Sequence, residues 1–379
     1  MRLFLIFALL LWNCDGTKNT GAKRASLAKK GKGDISIGVS WSDDKSLFVE
    51  GLELALEEIN NEGVINNRKV RLIIKDDEKS INKGLINAEQ FSNDLNVVAV
   101  IGHFESYITM PASSVYEFNK IVMVTPLSTA AAITKNKYEY VFRTIPSDKI
   151  IGSQLAAYFD TKEYKNTMLC YVNSIYGLSF ANEFESKAEI FEINVKDRVA
   201  YDVGSNREFG RIATKWKTFT NQFDSIMFVG NIPGGENFLI ETRKEFPNTP
   251  IICGEDMVND SLLPFNEDVL KEVYFPAIFH PDENRAEVVD FKEKFIARYG
   301  KNPDLNAALA YDTLKVICEA IKKGKSSVPA DIAKNLKSLK DFKGVVTKYN
   351  FDQDGDLIFK DKIGLQKITN KKFTYIGRY

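Results

Sequence analysis

Histidine is almost missing from this chain. His103 and His280 are the only two in 379 residues, and neither has a cysteine or acidic cluster beside it in sequence. The residue mix of a metal centre is therefore absent, and no metal or other cofactor is expected. Cysteine is scarce as well: Cys14, Cys170, Cys253 and Cys318 have spacings that fit neither a zinc site nor a disulfide scaffold. The last three lie in apolar stretches and read as buried thiols, with one disulfide left open if the compartment is oxidising. Charge of one sign is not in excess, since 51 basic residues balance 51 acidic ones. That removes nucleic acid and a polybasic membrane surface from the expected partners. No Gly-x-Ser-x-Gly elbow occurs, Gly234-Gly235 lacks the lysine and hydroxyl of a phosphate loop, and no nucleophile–base set can be named. These absences argue against an enzyme. Asp352-Gln353-Asp354-Gly355-Asp356 starts like a calcium loop, but its glycine comes too early and Ile363 stands where the closing glutamate belongs. It reads as a turn.

Long apolar runs are missing too. The run Leu3 to Trp12 has 10 residues, too short to span a bilayer and suited to the core of a signal peptide. It ends at Leu11-Trp12-Asn13-Cys14, which resembles the lipobox of bacterial lipoproteins, although Trp12 and Asn13 replace its usual small residues. The resemblance implies a signal peptide over residues 1–14 and a lipid anchor on Cys14; a plain secretory signal is the alternative. Residues 15–33, rich in Lys, Gly, Ser and Thr, read as a flexible tether.

What is present is strand–helix alternation. Val98 to Ile101 and Ile121 to Thr125 are short apolar runs rich in Val and Ile, the pattern of strands buried on both faces of a parallel sheet. Pro111 to Asn119 between them has helical spacing, with Ala112, Val115, Tyr116 and Phe118 as its buried positions. Similar alternation starts at Ile35 and resumes after Pro146, through strands at 167–172, 195–201, 225–229 and 250–253. Long helices follow at 288–299 and 306–323, and Asp354-Gly355 marks a closing hairpin. The chain therefore reads as α/β, with two doubly wound parallel-sheet lobes. Ligands of such sheets bind just past the carboxyl ends of the strands. There the sequence places Ser106, Ser128 and Thr129.

The blocks Val100-Ile101-Gly102-His103, Pro111-Ala112-Ser113, Thr125-Pro126, Ser128-Thr129, Tyr176-Gly177, Gly254-Glu255 and Ala310-Tyr311-Asp312 follow one another in a distinctive order. In that order and spacing the chain resembles the Leu/Ile/Val-binding type of extracytoplasmic solute-binding protein, with the type I periplasmic binding fold. The resemblance implies residues 34–147 plus 282–343 as one lobe and 148–281 plus 344–379 as the other. Three hinge segments would join the lobes, and a ligand cleft would lie between them. It implies an amino acid or similar small polar solute, passed to an ABC permease complex. The same fold also serves ligand-sensing lobes of signalling systems.

Residue by residue, the resemblance assigns Ser106 to the ligand carboxylate and Thr129 to both ends of the amino-acid core. Leu127 and Phe104 fall where backbone groups and a side wall are used. Tyr176 matches a cleft tyrosine, and Glu255 the acid facing the ammonium. The chemistry agrees: a zwitterion leaving water needs donors for its carboxylate and acceptors for its ammonium. Ser, Thr and Glu after strands also serve as ordinary helix caps. Three positions depart from the pattern. Trp41 follows the first strand as a cleft wall or a cover of the lobe. Asn231 replaces a tyrosine of the second lobe. Glu105 replaces a cysteine, to meet a basic ligand group or to lie at the rim.

Overall fold

A computed structural model describes residues 20–42, 46–63, 68–204 and 206–378 of the chain. The apolar leader and Cys14 lie outside these residues, so the signal-peptide and lipid-anchor expectations concern residues the structure does not describe.

The first sheet contains β1 (Ile35–Ser40), β2 (Val70–Lys75), β3 (Val97–Ile101), β4 (Val122–Thr125) and β5 (Val141–Arg143), all parallel, in the order β2-β1-β3-β4-β5. β1, β3 and β4 are buried along their whole length because helices cover both faces, which is why they read as unbroken apolar runs. The helices here are α1 (Thr20–Lys29), α2 (Phe48–Glu62), α3 (Ile81–Asn93), α4 (Ser106–Phe118) and α5 (Ala132–Lys135).

The second sheet contains β6 (Asn166–Val172), β7 (Asn194–Tyr201), β8 (Ser225–Val229), β9 (Ile251–Cys253) and β10 (Val273–Ala277). Its helices are α6 (Asp148–Thr161), α7 (Ile175–Ile190), α8 (Asn206–Trp216), α9 (Gly235–Glu245) and α10 (Glu267–Leu270). The chain then returns to the first sheet with α11 (Ala286–Tyr299), α12 (Leu305–Gly324) and α13 (Pro329–Lys337). α12 packs along α2, and Tyr311 donates to Glu58 at 2.6 Å. A small ladder of β11 (Phe342–Lys343) with β12 (Lys348–Tyr349) precedes β13 (Gly364–Thr369) and β14 (Lys372–Arg378). These last two extend the second sheet antiparallel, in the order β14-β13-β10-β9-β8-β6-β7.

Several expectations change. Residues 20–29 form helix α1 and are not part of a free tether. Arg24 is fully buried and donates to the carbonyls of Asn119, at 2.7 Å, and Ser92. Those carbonyls lie at the C-terminal ends of α4 and α3, just before β4 and β3, so α1 caps the edge of the sheet opposite the ligand edge. Helix α4 starts at Ser106, not Pro111; the Glu105 carbonyl accepts from the N–H groups of Ile108 and Thr109 and opens its first turn. Phe118, expected inside, is 65% exposed at its end. The final hairpin turns at Asn370-Lys371, both with φ near +50°, as a two-residue loop of twisted strands requires. At Asp352–Asp356 the Asp352 carboxylate accepts from the N–H groups of Asp354 and Asp356, and a single bridge joins Phe351 to Leu357.

The segment 351–357 lies against β5: Phe351 meets Phe142 edge-on at 5.5 Å, and Arg143 N–H donates to the Gly355 carbonyl. Contacts at the crossings are specific. Asp312 accepts from Val345 N–H, Val346 N–H and the Tyr349 hydroxyl, each at 2.8 Å. Glu283 ion-pairs with both Arg285 and Arg378, and Arg285 donates to the Val345 carbonyl. Cys170, Cys253 and Cys318 are buried free thiols, and burial raises the pKa of each.

Candidate ligand-binding cleft

Both sheets reverse their winding once. In the first, β1 is followed outward by β2 while β3 starts on the other side; in the second, β6 is followed by β7 while β8 starts opposite. At such a point the loops leaving neighbouring strands diverge and open a crevice. Trp41 leaves β1, Phe104 to Ser106 leave β3, and Leu127 to Thr129 leave β4. From the other sheet come Tyr176 after β6, Asn231 after β8 and Glu255 after β9.

These two sets face each other with the lobes in contact. The Thr129 hydroxyl donates to Glu255 Oε1 at 3.2 Å, and the Ala131 N–H donates to Ser179 Oγ at 3.1 Å. On the outside, Lys135 and Glu183 approach to 3.4 Å. The contact zone holds polar atoms with nothing to bond. Glu255 Oε2, both carboxylate oxygens of Asp148 and the hydroxyls of Tyr176 and Tyr201 are buried without a hydrogen-bond partner. The Tyr176 hydroxyl lies near the Asp256 backbone, and the Thr129 and Ser179 hydroxyls lie beside Asp148, without reaching hydrogen-bond geometry. Isolated orphans of this kind cost roughly 1–3 kcal/mol each. Several together at one place describe a site built for something else to fill.

Electrostatics point the same way. Burial pushes the Glu255 carboxyl well above the usual carboxylate range, and the charges of Asp256 and Asp148 add to the shift. Burial raises Asp148 to about 6 despite the nearby Arg143 guanidinium. That arginine is already engaged, by Asp356 at 2.8 Å and by the carbonyls of Thr129 and Ala130. A cation entering here meets acids without cations of their own.

The first lobe offers the complementary charge. Ser106 opens helix α4 and is 3% exposed; its Oγ accepts from the Ala130 N–H at 3.3 Å, which ties the two ligand loops together. N–H groups of a helix's first turn suit a carboxylate. Ser128 is held inside the loop. Its hydroxyl is within reach of Thr109 Oγ1 at 2.5 Å and the carbonyls of His103 and Phe104 at 3.1 and 3.0 Å, so it braces the loop from within. His103 is structural as well: its Nδ1 meets Asp77 at 2.7 Å, and both side chains are fully buried. Among the described residues no group of three potential ligands could hold a metal.

Trp41 packs within the first lobe. It is 5% exposed, stacks on Phe48 with ring centroids 3.5 Å apart, and meets Phe104 edge-on at 5.1 Å. It backs the half-buried Phe104 as part of the lobe. Leu127 and Glu105 are half-buried at the mouth. Asn231 is half-buried, its carbonyl accepts from the Gly235 N–H, and its backbone lies beside the Tyr201 hydroxyl.

Two glycines make the second wall possible. A Cβ at Gly254 would come within 2.6 Å of the Tyr176 hydroxyl, and one at Gly177 within 1.9 Å of the Val172 carbonyl. Asp148, Ser179, Tyr201 and Asp256 are candidate residues that the sequence reading did not name. Asp148 had a signal, an acid immediately after the segment that crosses between sheets, but it reads as the first turn of a helix.

The chain belongs to the periplasmic binding protein family, whose profile matches residues 41–369. It is 27% identical over 332 residues to the Leu/Ile/Val-binding protein homolog 1 of Brucella abortus, covering 85% of this chain and 86% of that one. To the leucine-, isoleucine-, valine-, threonine- and alanine-binding protein of Pseudomonas aeruginosa it is 27% identical over 315 residues, 81% of each. Among solved structures, an ABC transporter substrate-binding protein from Desulfitobacterium hafniense in complex with Leu matches with a TM-score of 0.81 and 34% identity, over 90% of this chain and all of that one. The fold is thus that of type I periplasmic binding proteins, a family of extracytoplasmic solute binders and not of enzymes. No helix among the described residues is long and apolar enough to cross a membrane.

Proposed function

We propose that this chain captures an amino acid between its lobes and delivers it to an ABC importer. The observation that carries the reading is the contact of Thr129 with Glu255 amid buried, unpartnered oxygens. The α-carboxylate lies against Ser106 Oγ and the first-turn N–H groups of α4. The α-ammonium lies between Thr129 and Glu255, with Asp148 behind it. Tyr176 closes the site from the second lobe, and Phe104, backed by Trp41, forms a side wall beside Leu127. Lobe closure follows because donors and acceptors for the two ligand ends come from different lobes and meet only when closed. The relatives' described binding of branched-chain and other amino acids supports this class of ligand. The lobes are residues 34–147 with 282–357, and 148–281 with 358–379. Cys14 carries a lipid that holds the protein to the membrane.

The test is a thermal-unfolding screen of residues 20–379 against amino acids, their deaminated acids and small carboxylates. A ligand at 100 times its Kd adds about 2.7 kcal/mol of stability. A shift with amino acids and none with the deaminated acids supports the reading; silence across all amino acids removes it. Replacing Cys14 with alanine should release the protein from membranes, and continued membrane association would contradict the lipid anchor.

A further inference from the structure

Balanced charge over the whole chain argued against a basic membrane-facing surface, but the fold distributes that charge unevenly. Helix α1 presents Lys23 and Lys29 to solvent, and exposed Lys30 and Lys32 follow it before β1 begins. Two neighbouring elements bring more. Exposed Lys120 lies against Gly21, where an added Cβ would come within 3.1 Å of the lysine Cβ. Exposed Lys325 caps α12 two residues before Ser327, whose hydroxyl donates to the Ala28 carbonyl at 3.5 Å. Six lysines therefore share the pole of the first lobe that α1 caps, opposite the ligand edge. Among the described residues none of the six is in an ion pair. The acids nearby in the chain face chain groups instead: Asp94 accepts from the Asn96 N–H, Glu117 from those of Glu139 and Tyr140, and Asp331 from the Ser326 hydroxyl. Asp34 is exposed beside Gly33.

Apolar surface lies among the lysines. Phe118 is 65% exposed next to Asn119, whose carbonyl holds Arg24, and Leu27 is 38% exposed on α1 itself. Lysines interleaved with exposed apolar side chains fit an anionic lipid surface, which offers negative headgroups and apolar depth just below them. The course of the chain points to the same occupant. Only residues 15–19 separate Cys14 from α1. At no more than about 3.6 Å per residue, Cys14 stands within about 22 Å of Thr20 whatever path those residues take. A lipid on Cys14 holds this pole of the first lobe close to the bilayer.

We propose that the α1 pole of the first lobe docks on an anionic phospholipid surface through Lys23, Lys29, Lys30, Lys32, Lys120 and Lys325. The docking extends the lipid-anchor reading but needs no lipid on Cys14, so the two are tested apart. The test is co-sedimentation of residues 20–379, which hold every described element and lack Cys14. The vesicles are phosphatidylcholine alone, or an equimolar mixture with phosphatidylglycerol. Expected is binding to the mixed vesicles only, lost when salt rises from about 0.1 M to about 1 M and the screening length falls from about 10 Å to about 3 Å. A variant combining Lys23→Gln, Lys29→Gln and Lys30→Gln should bind about 10²-fold more weakly, after thermal unfolding confirms that it folds. The matching second-lobe variant, Lys196→Gln with Lys360→Gln and Lys367→Gln, should bind as the unaltered protein does. Equal binding to both kinds of vesicle, or binding to neither, overturns the proposal. So does a second-lobe variant that loses as much as the α1 variant. In the Cys14→Ala test the membranes are washed at the same high salt, which strips docked protein and leaves only what an anchor holds.

Discussion

The hydroxyl of Thr129 and the carboxylate of Glu255, 126 positions apart in the chain, meet at 3.2 Å across two separate sheets. Thr129 is fixed by the first sheet: its carbonyl accepts from the Asp148 N–H at 2.8 Å and from Arg143. Glu255 is fixed by a short turn after β9. Their meeting gives the first lobe a direct contact with the one second-lobe acid the family resemblance assigns to the ligand ammonium.

Glu255→Gln should therefore weaken binding of an amino acid by about 30- to 4000-fold, since removing a buried charge partner costs about 2–5 kcal/mol. The deaminated acid should lose far less. Titration of both ligands into both proteins checks this, and equal losses would refute the ammonium role.

Affinity should depend on pH in a defined direction. Burial raises Asp148 to about 6 and holds Glu255 well above the usual carboxylate range, so the closed, empty cleft favours the protonated acids that an ammonium must displace. For these raised acids the folded closed form is favoured at low pH and loses that advantage as pH rises through their folded values. Binding of an ammonium ligand should strengthen from pH 5 to pH 7 and release protons on the way. Titration in buffers of different ionisation heat measures the release; affinity flat across this range would contradict it.

The first-lobe half of the site depends on Asp77 and His103, 2.7 Å apart and fully buried. His103 presents its carbonyl to Thr125 and Ser128, so the pair fixes the loop that carries Phe104 and Ser106. Burial opposes ionisation of Asp77, but the His103 hydrogen bond and charge outweigh it and hold its pKa below the ordinary value. Such a group stabilises the fold above its unfolded pKa and loses that contribution as pH falls through its folded value. Asp77→Ala should cost about 3–5 kcal/mol at neutral pH, with the gap to wild type narrowing below about pH 4. Denaturant unfolding across that range reads it, and a gap independent of pH would count against the pair.

Helix α1 is held by Arg24 on the carbonyls of Asn119 and Ser92. Arg24→Ala should strip hydrogen-exchange protection from residues 20–29 while leaving that of β3 and β4 in place. Undiminished protection of α1 would mean that the arginine does not hold it.

The central parallel strands β1, β3, β4 and β8 were legible because burial on both faces writes itself as an unbroken apolar run, and their ends followed from where those runs stop. β10 was not, since Pro276 interrupts Val273–Ala277; it survives beside antiparallel β13, where Pro276 pairs with Leu365. Helix α13 was missed although Pro329 at its first turn was a usable sign. Residues 20–29 misled through composition, because one buried arginine and two carbonyls at helix ends anchor what Lys, Gly and Ser make look free. At the candidate site, family pattern and chemistry together named Thr129 and Glu255, two side chains that the fold brings into contact. Asp148 and Tyr201 were not, because their meaning depends on which atoms remain without partners once two distant lobes have closed.

The most direct measurement is a crystal structure of the protein with its amino acid bound. The carboxylate should lie within hydrogen-bond reach of Ser106 Oγ and the first turn of α4, with the ammonium on Glu255 and Thr129. A ligand turned end for end, or bound outside the Thr129–Glu255 contact, would contradict the cleft as described.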